Sequence, residues 1–104
     1  MSESRASHVV VIGGGVGGLA VAARLSVKGH RVTLVEQADR VGGKLFPYER
    51  DGFAFDTGPS LFTLPAVYRD LFLKTGKRLE QSVDLPELDP AFRYVFPDAS
   101  EVTV

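Results

Sequence analysis

Apolar positions first fall in short, dense runs. His8-Val9-Val10-Val11-Ile12 is continuous, β-branched and stopped by glycine. That texture predicts a parallel strand buried on both faces. Val16, Leu19, Ala20, Ala23 and Val27 then recur at helical spacing, with Gly29 as the stop. Arg31-Val32-Thr33-Leu34-Val35 predicts a second buried strand, ending at Glu36. Strand, helix and strand within about 30 residues make a βαβ unit. Its crossover is expected to be right-handed.

After Glu36 the pattern changes. Leu45 to Arg50 and Phe53 to Asp56 flank Asp51-Gly52, a dipeptide that favours a two-residue hairpin turn. Phe46, Tyr48, Phe53 and Phe55 are expected to form the core of that hairpin. Thr63-Leu64-Pro65 opens a second helix, since proline is tolerated in a first turn. Its apolar face reads Leu64, Val67, Tyr68, Leu71 and Phe72, and Gly76 closes it. Lys74 and Lys77 suit the negative end of its dipole. Residues 79–90 read as loop with at most a short strand. Phe92, Tyr94 and Phe96 alternate with Arg93 and Val95, which predicts a strand. Pro97 to Ser100 is turn-like, and Glu101 to Val104 starts another strand.

Composition narrows the classes. A chain of 104 residues is one domain's worth of polypeptide or a piece of a larger one. With 44% apolar and 24% charged residues it is not disordered throughout. A net charge of −1 removes the electrostatic case for nucleic acid. The absence of cysteine excludes disulfides, iron–sulfur clusters and cysteine-ligated zinc. His8 and His30 read as solvent-exposed, and no metal site is expected. No run approaches the ~18 apolar residues that span a bilayer. The start, Met1 to Ser7, is polar, and the next apolar stretch is broken by glycines, so no signal peptide is read and the cytoplasm is the expected compartment. Eight of the eleven glycines lie in the first 43 residues and all six prolines after residue 46. That shift divides the chain into a nucleotide-binding unit over 1–60 and a differently built region over 61–104.

The glycines carry the chemistry. Gly13-Gly14-Gly15-Val16-Gly17-Gly18 matches G-x-G-x-x-G between a strand and a helix. Gly13 permits the tight turn, Gly15 lets a pyrophosphate approach the backbone, and Gly18 lets helix and strand pack closely. The N–H groups at the helix start, including those of Val16 and Gly17, then face the phosphates. Glu36, with Gln37 beside it, ends the second strand. Its carboxylate suits both ribose hydroxyls and would repel a 2′-phosphate. FAD and NAD share this fingerprint, so the loop alone does not separate them. Arg40-Val41-Gly42-Gly43-Lys44 adds a second glycine pair flanked by cations. Phe55-Asp56-Thr57-Gly58-Pro59-Ser60 adds a rigid, backbone-exposing turn, in which Asp56 is expected to cap backbone N–H groups.

Taken together, these segments resemble the N-terminus of phytoene-desaturase-like flavoproteins, the carotenoid desaturases within the amine-oxidase-like FAD superfamily. The segments from Val11 to Leu19, Glu36, Arg40 to Lys44 and Phe55 to Ser60 carry the resemblance. It implies an α/β fold with a Rossmann-type βαβ unit binding FAD, interrupted by a substrate domain. It also implies that Gly13, Gly15 and Gly18 surround the pyrophosphate and Glu36 holds the adenosine ribose. Gly42, Gly43 and Lys44 would line the cofactor, and Gly58, Pro59 and Ser60 would lie toward the flavin. In such enzymes flavin N5 takes hydride from substrate, here a carotenoid precursor-like polyene. No protein acid, base or nucleophile is expected among these residues. Because polyenes reside in membrane, a peripheral membrane association of the complete enzyme is compatible with the resemblance. Family members are several times longer, so the chain reads as an N-terminal fragment or truncated frame with uncovered strand faces, marginally stable and inactive alone. A non-catalytic nucleotide-binding module, a truncated relic and an amine-oxidase-like flavoenzyme are the alternatives.

Overall fold

The computed structural model describes residues 5–104, and the polar start over residues 1–4 lies outside them. The order β1 (His8–Ile12), α1 (Val16–Val27), β2 (Arg31–Val35) is the one the pattern predicts. β1 and β2 pair in parallel, His8 opposite Arg31 and Ile12 opposite Val35. The Gly13 N–H extends the ladder to the Val35 carbonyl at 2.7 Å. α1 ends where Gly29 takes a φ of 89°. There the Gly29 N–H reaches the Ser26 carbonyl and the His30 N–H the Leu25 carbonyl, at 3.0 and 3.1 Å. That pair of bonds satisfies carbonyls the helix would otherwise leave open.

Burial differs from the expectation. The strands are covered on one face only. Val9, Val11, Val32 and Leu34 are half-buried toward α1, whereas Val10, Ile12 and Val35 stand open on the other side. A single helix covers a single face, and no other described element lies against the second. The face of α1 also differs. Ala22 and Leu25 join Ala20 and Ala23 as covered positions, while Val16, Leu19 and Val27 are exposed. The close approach at Gly18 orients the helix, and α2 packs against α1 as well. His30 is half-buried rather than exposed, its Nδ1 accepting the Ser7 N–H at 3.2 Å.

β3 (Pro47–Arg50) and β4 (Phe53–Asp56) form the expected hairpin, with Arg50 opposite Phe53. Asp51 and Gly52 both take positive φ, 51° and 82°, as a type I′ turn requires. Its aromatics are not a core. Phe53 and Phe55 stack at 6.4 Å, yet both are exposed, as is Tyr48; Phe46 alone of the four is half-buried. α2 (Pro65–Thr75) starts with proline and closes at Gly76. It covers Tyr68, Leu71, Phe72 and Thr75, and leaves Leu64 and Val67 of the expected face open. Lys74 pairs with Asp70 one turn back at 2.9 Å, while Lys77 lies beyond the helix.

In the segment read as loop, Leu79–Gln81 forms a 3₁₀ turn, and Leu79 is the one buried hydrophobic side chain among the described residues. β5 (Arg93–Val95) and β6 (Glu101–Thr103) pair antiparallel. The Asp98 carboxylate accepts the Ser100 hydroxyl and N–H, which together hold it below the usual carboxylate range. A compact chain of this length has a radius of gyration of about 13 Å. Here it is 18.8 Å, so the three two-stranded sheets are strung along an elongated chain rather than wrapped around one core.

Candidate functional site

The site begins where β1 hands over to α1. Gly13 takes a φ of 101°, a turn conformation that side chains disfavour. A Cβ on Gly18 would land on the Gly13 carbonyl oxygen, so strand end and helix start touch through backbone. A Cβ on Gly15 would meet nothing within 4 Å. The floor of the loop is therefore open where a phosphate would lie. The amides of Val16, Gly17 and Gly18 precede the first intrahelical bond, Leu19 N–H to the Gly15 carbonyl at 2.9 Å. No acidic residue occupies that first turn, so the positive end of α1 is unopposed.

Glu36 is fixed by backbone. Its Oε2 accepts the Gly14 N–H at 2.5 Å and its Oε1 the Ala38 N–H at 3.0 Å. These bonds, the one from Ala38 first and then that from Gly14, hold its carboxyl below the usual range. Each carboxylate oxygen keeps a further lone pair, which leaves acceptor capacity for ribose hydroxyls. A carboxyl with a lowered folded pKa contributes its full support above the unfolded value and loses it as pH falls through the folded one. ADP affinity is expected to hold steady from neutral to mildly acid pH and to fall below the ordinary glutamate range. Glu36→Gln should weaken ADP binding about tenfold at neutral pH and flatten the acid limb. Calorimetric titration across pH checks this, and an acid limb that persists in the variant would assign it to another group.

Two further loops stack on the first. The Gly42 N–H donates to the Gly14 carbonyl at 2.8 Å. Gly14 is buried, and its two backbone groups tie the Glu36 carboxylate to the second loop. Gly43 sits so close that a Cβ there would come within 3.0 Å of Gly15 Cα. The third loop joins the second in the same way, because a Cβ on Gly58 would fall on the Lys44 carbonyl oxygen. The Thr57 hydroxyl donates to the Phe46 carbonyl at 3.0 Å. That hydroxyl, rather than the expected Asp56 carboxylate, ties the turn: the chain doubles back in the hairpin and brings Phe46 beside Thr57.

These loops border an open groove of about 950 Å³. Gly15, Val16, Gly42, Gly43, Lys44, Pro59 and Ser60 line its loop side. Gly13, Gly17, Gly18 and Gly58 lie outside the lining, Gly13, Gly18 and Gly58 in the backbone contacts that hold the loops together. Glu36 and the exposed Gln37 stand at Gly14, also outside the groove wall. The Arg40 guanidinium lies 3.5 Å over the Phe46 ring, away from the groove lining. Sequence reasoning missed the opposite wall, where Leu61, Phe62, Tyr68 and Leu71 face the loops. Arg24 also lines the groove and pairs with Asp70 at 3.3 Å, tying α1 to α2. The helical spacing of Tyr68 and Leu71 signalled an apolar face but not what that face would meet.

A βαβ unit with this loop at its first turn and a carboxylate ending its second strand defines a dinucleotide-binding Rossmann-type protein. Residues 11–73 match the NAD(P)-binding Rossmann-like domain, and the chain belongs to that family. Over 96 residues it is 45% identical to the 4,4′-diapophytoene desaturase (4,4′-diaponeurosporene-forming) of Staphylococcus haemolyticus, across 92% of this chain. Over 95 residues it is 40% identical to the 4,4′-diaponeurosporene oxygenase of Staphylococcus aureus, across 91% of this chain. The chain spans 19% of the length of each of these relatives. Among the described residues, no helix is long and apolar enough to cross a membrane.

Proposed function

We propose that this chain binds FAD as the cofactor-holding part of an oxidoreductase that withdraws hydride from an apolar, carotenoid-type polyene. The observation that carries the reading is the stacking of three glycine-containing loops, 13–18, 42–44 and 57–60, through backbone contacts at Gly14, Gly43 and Gly58. One glycine loop serves any dinucleotide. Three in register extend a backbone-lined path beyond the diphosphate, as a long cofactor with a flat ring at its far end needs. The polyene class rests on the two relatives, which are named for such substrates. In this reading residues 1–60 hold the cofactor and 61–104 begin the substrate side.

The residues divide the work. Amides at the start of α1 and the Lys44 ammonium offset diphosphate charge. Glu36 selects an unphosphorylated adenosine ribose. The α2 wall gives the groove an apolar side suited to a flat ring. FAD, when bound, supplies the hydride acceptor, while the protein supplies position and electrostatics.

The test is a titration of the purified gene product with FAD and with NAD. FAD should bind at least about tenfold more tightly, a difference of about 1.4 kcal/mol. Saturation by NAD with no response to FAD would overturn the flavin assignment.

A further inference from the structure

The geometry points to Phe62 and Tyr68 as the wall that receives the flat ring of the cofactor. The inference rests on the FAD reading above and adds residues to it. Phe62 leads into α2 and Tyr68 lies on its groove-facing side. Their rings pack at 4.2 Å with a tilt of 41°. Phe62 is nevertheless 40% exposed, and both side chains line the groove.

The groove's chemistry is graded. At its loop side stand the open backbone of Gly15 and the cation Lys44, while Arg24 is paired with Asp70 of α2. At its α2 side the lining is aromatic and aliphatic. A dinucleotide has the same polarity, a diphosphate joined to a planar ring. Glu36 anchors the adenosine half outside the groove, at Gly14. A cofactor crossing the α1 start with its ribose there has one continuous surface left for its second half, the groove floor from Gly15 past Gly43 and Lys44 to Pro59. Its ring then lies against Tyr68 and Phe62.

The experiment uses flavin fluorescence, because a tyrosine in contact with an excited isoalloxazine donates an electron and takes it back with no net reaction. Phenylalanine is not oxidised in this way. In the purified gene product FAD emission should be strongly quenched on binding. Tyr68→Phe should bind FAD with affinity within about twofold and emit several-fold more brightly. Tyr68→Leu should weaken FAD binding roughly 3- to 10-fold, as expected for loss of one aromatic contact. ADP, which ends at the phosphates, should bind both variants as it binds the unaltered protein, which also shows that they are folded. Unchanged FAD affinity and emission in both variants would overturn the assignment and leave the aromatic wall to the apolar substrate. Absence of FAD binding to the unaltered protein would instead overturn the flavin reading itself.

Discussion

Gly18→Ala is expected to lower ADP and FAD affinity by roughly 100-fold, or to prevent the loop from forming. The Cβ it adds would overlap the Gly13 carbonyl oxygen, with the Gly13 carbonyl carbon 3.0 Å away and Val11 Cγ1 3.5 Å away. A side chain in its place could rotate out of the way, but a strand-terminal carbonyl cannot. Gly13 is itself held by its N–H bond to Val35. Relief therefore requires α1 to move off β1, which withdraws the first-turn amides from the phosphate position. Overpacking of this kind costs about 1–3 kcal/mol where side chains can yield. Backbone against backbone belongs at the upper end, and about 2.7 kcal/mol is a hundredfold in affinity. Gly17→Ala is the matched control. A Cβ there meets nothing within 4 Å, and the first turn of α1, where Gly17 sits, accepts alanine. Titration with ADP and thermal unfolding of both variants would decide. Equal affinities in the two would mean that Gly18 is not the packing glycine.

Gly18 and Gly17 also mark how far the sequence was legible. Elements settled by local chemistry were readable: the β-branched strands, the Asp51-Gly52 turn with its two positive φ angles, and the helix stops at Gly29 and Gly76. Their order and the glycine fingerprint predicted the Rossmann class. Burial was not readable, because it depends on what covers a residue. Ile12 belongs to an apolar run, yet it is 88% exposed on the sheet face that α1 does not cover. The face of α1 was misjudged at Val27 for a related reason: spacing offered several apolar arcs, and a contact with β1 at Gly18 selected among them. The loop contacts were equally invisible. Nothing local shows that Arg40 stacks on Phe46, or that Thr57 rather than Asp56 secures its turn. The α2 wall was hidden by its own regularity, since Tyr68 fits a helix face whether that face meets a core or a groove. Of the predicted residues, Gly15, Val16, Gly42, Gly43, Lys44, Pro59 and Ser60 nevertheless share one wall, although their loops are separated by β2 and a hairpin.

Gly58→Ala tests whether that convergence serves the second half of the cofactor. Its Cβ would overlap the Lys44 carbonyl oxygen, with the Lys44 carbonyl carbon 2.9 Å and Cα 3.7 Å away. The third loop would have to lift from the second, taking Pro59 and Ser60 with it and widening the groove. Nothing in this movement reaches Glu36, whose bonds run to Gly14 and Ala38. The first loop also keeps its contacts with β2 and the second loop, through Gly13 to Val35 and Gly42 to Gly14. The two halves of the site should therefore separate experimentally. FAD affinity should fall about 10- to 100-fold, equivalent to about 1.4–2.7 kcal/mol and within the range of backbone overpacking. ADP affinity should change by less than about twofold. Parallel titrations of one preparation give both numbers, and thermal unfolding of the same preparation identifies a misfolded variant. Equal losses of both ligands would make the site one cooperative unit, in which the third loop supports the first. Retention of both would detach the Gly58 turn from nucleotide binding and leave only the Gly13–Gly18 loop and Glu36 to hold the cofactor. The selective loss is the expected result, because the added Cβ meets the Lys44 backbone and leaves the contacts of Glu36 and of the first loop in place.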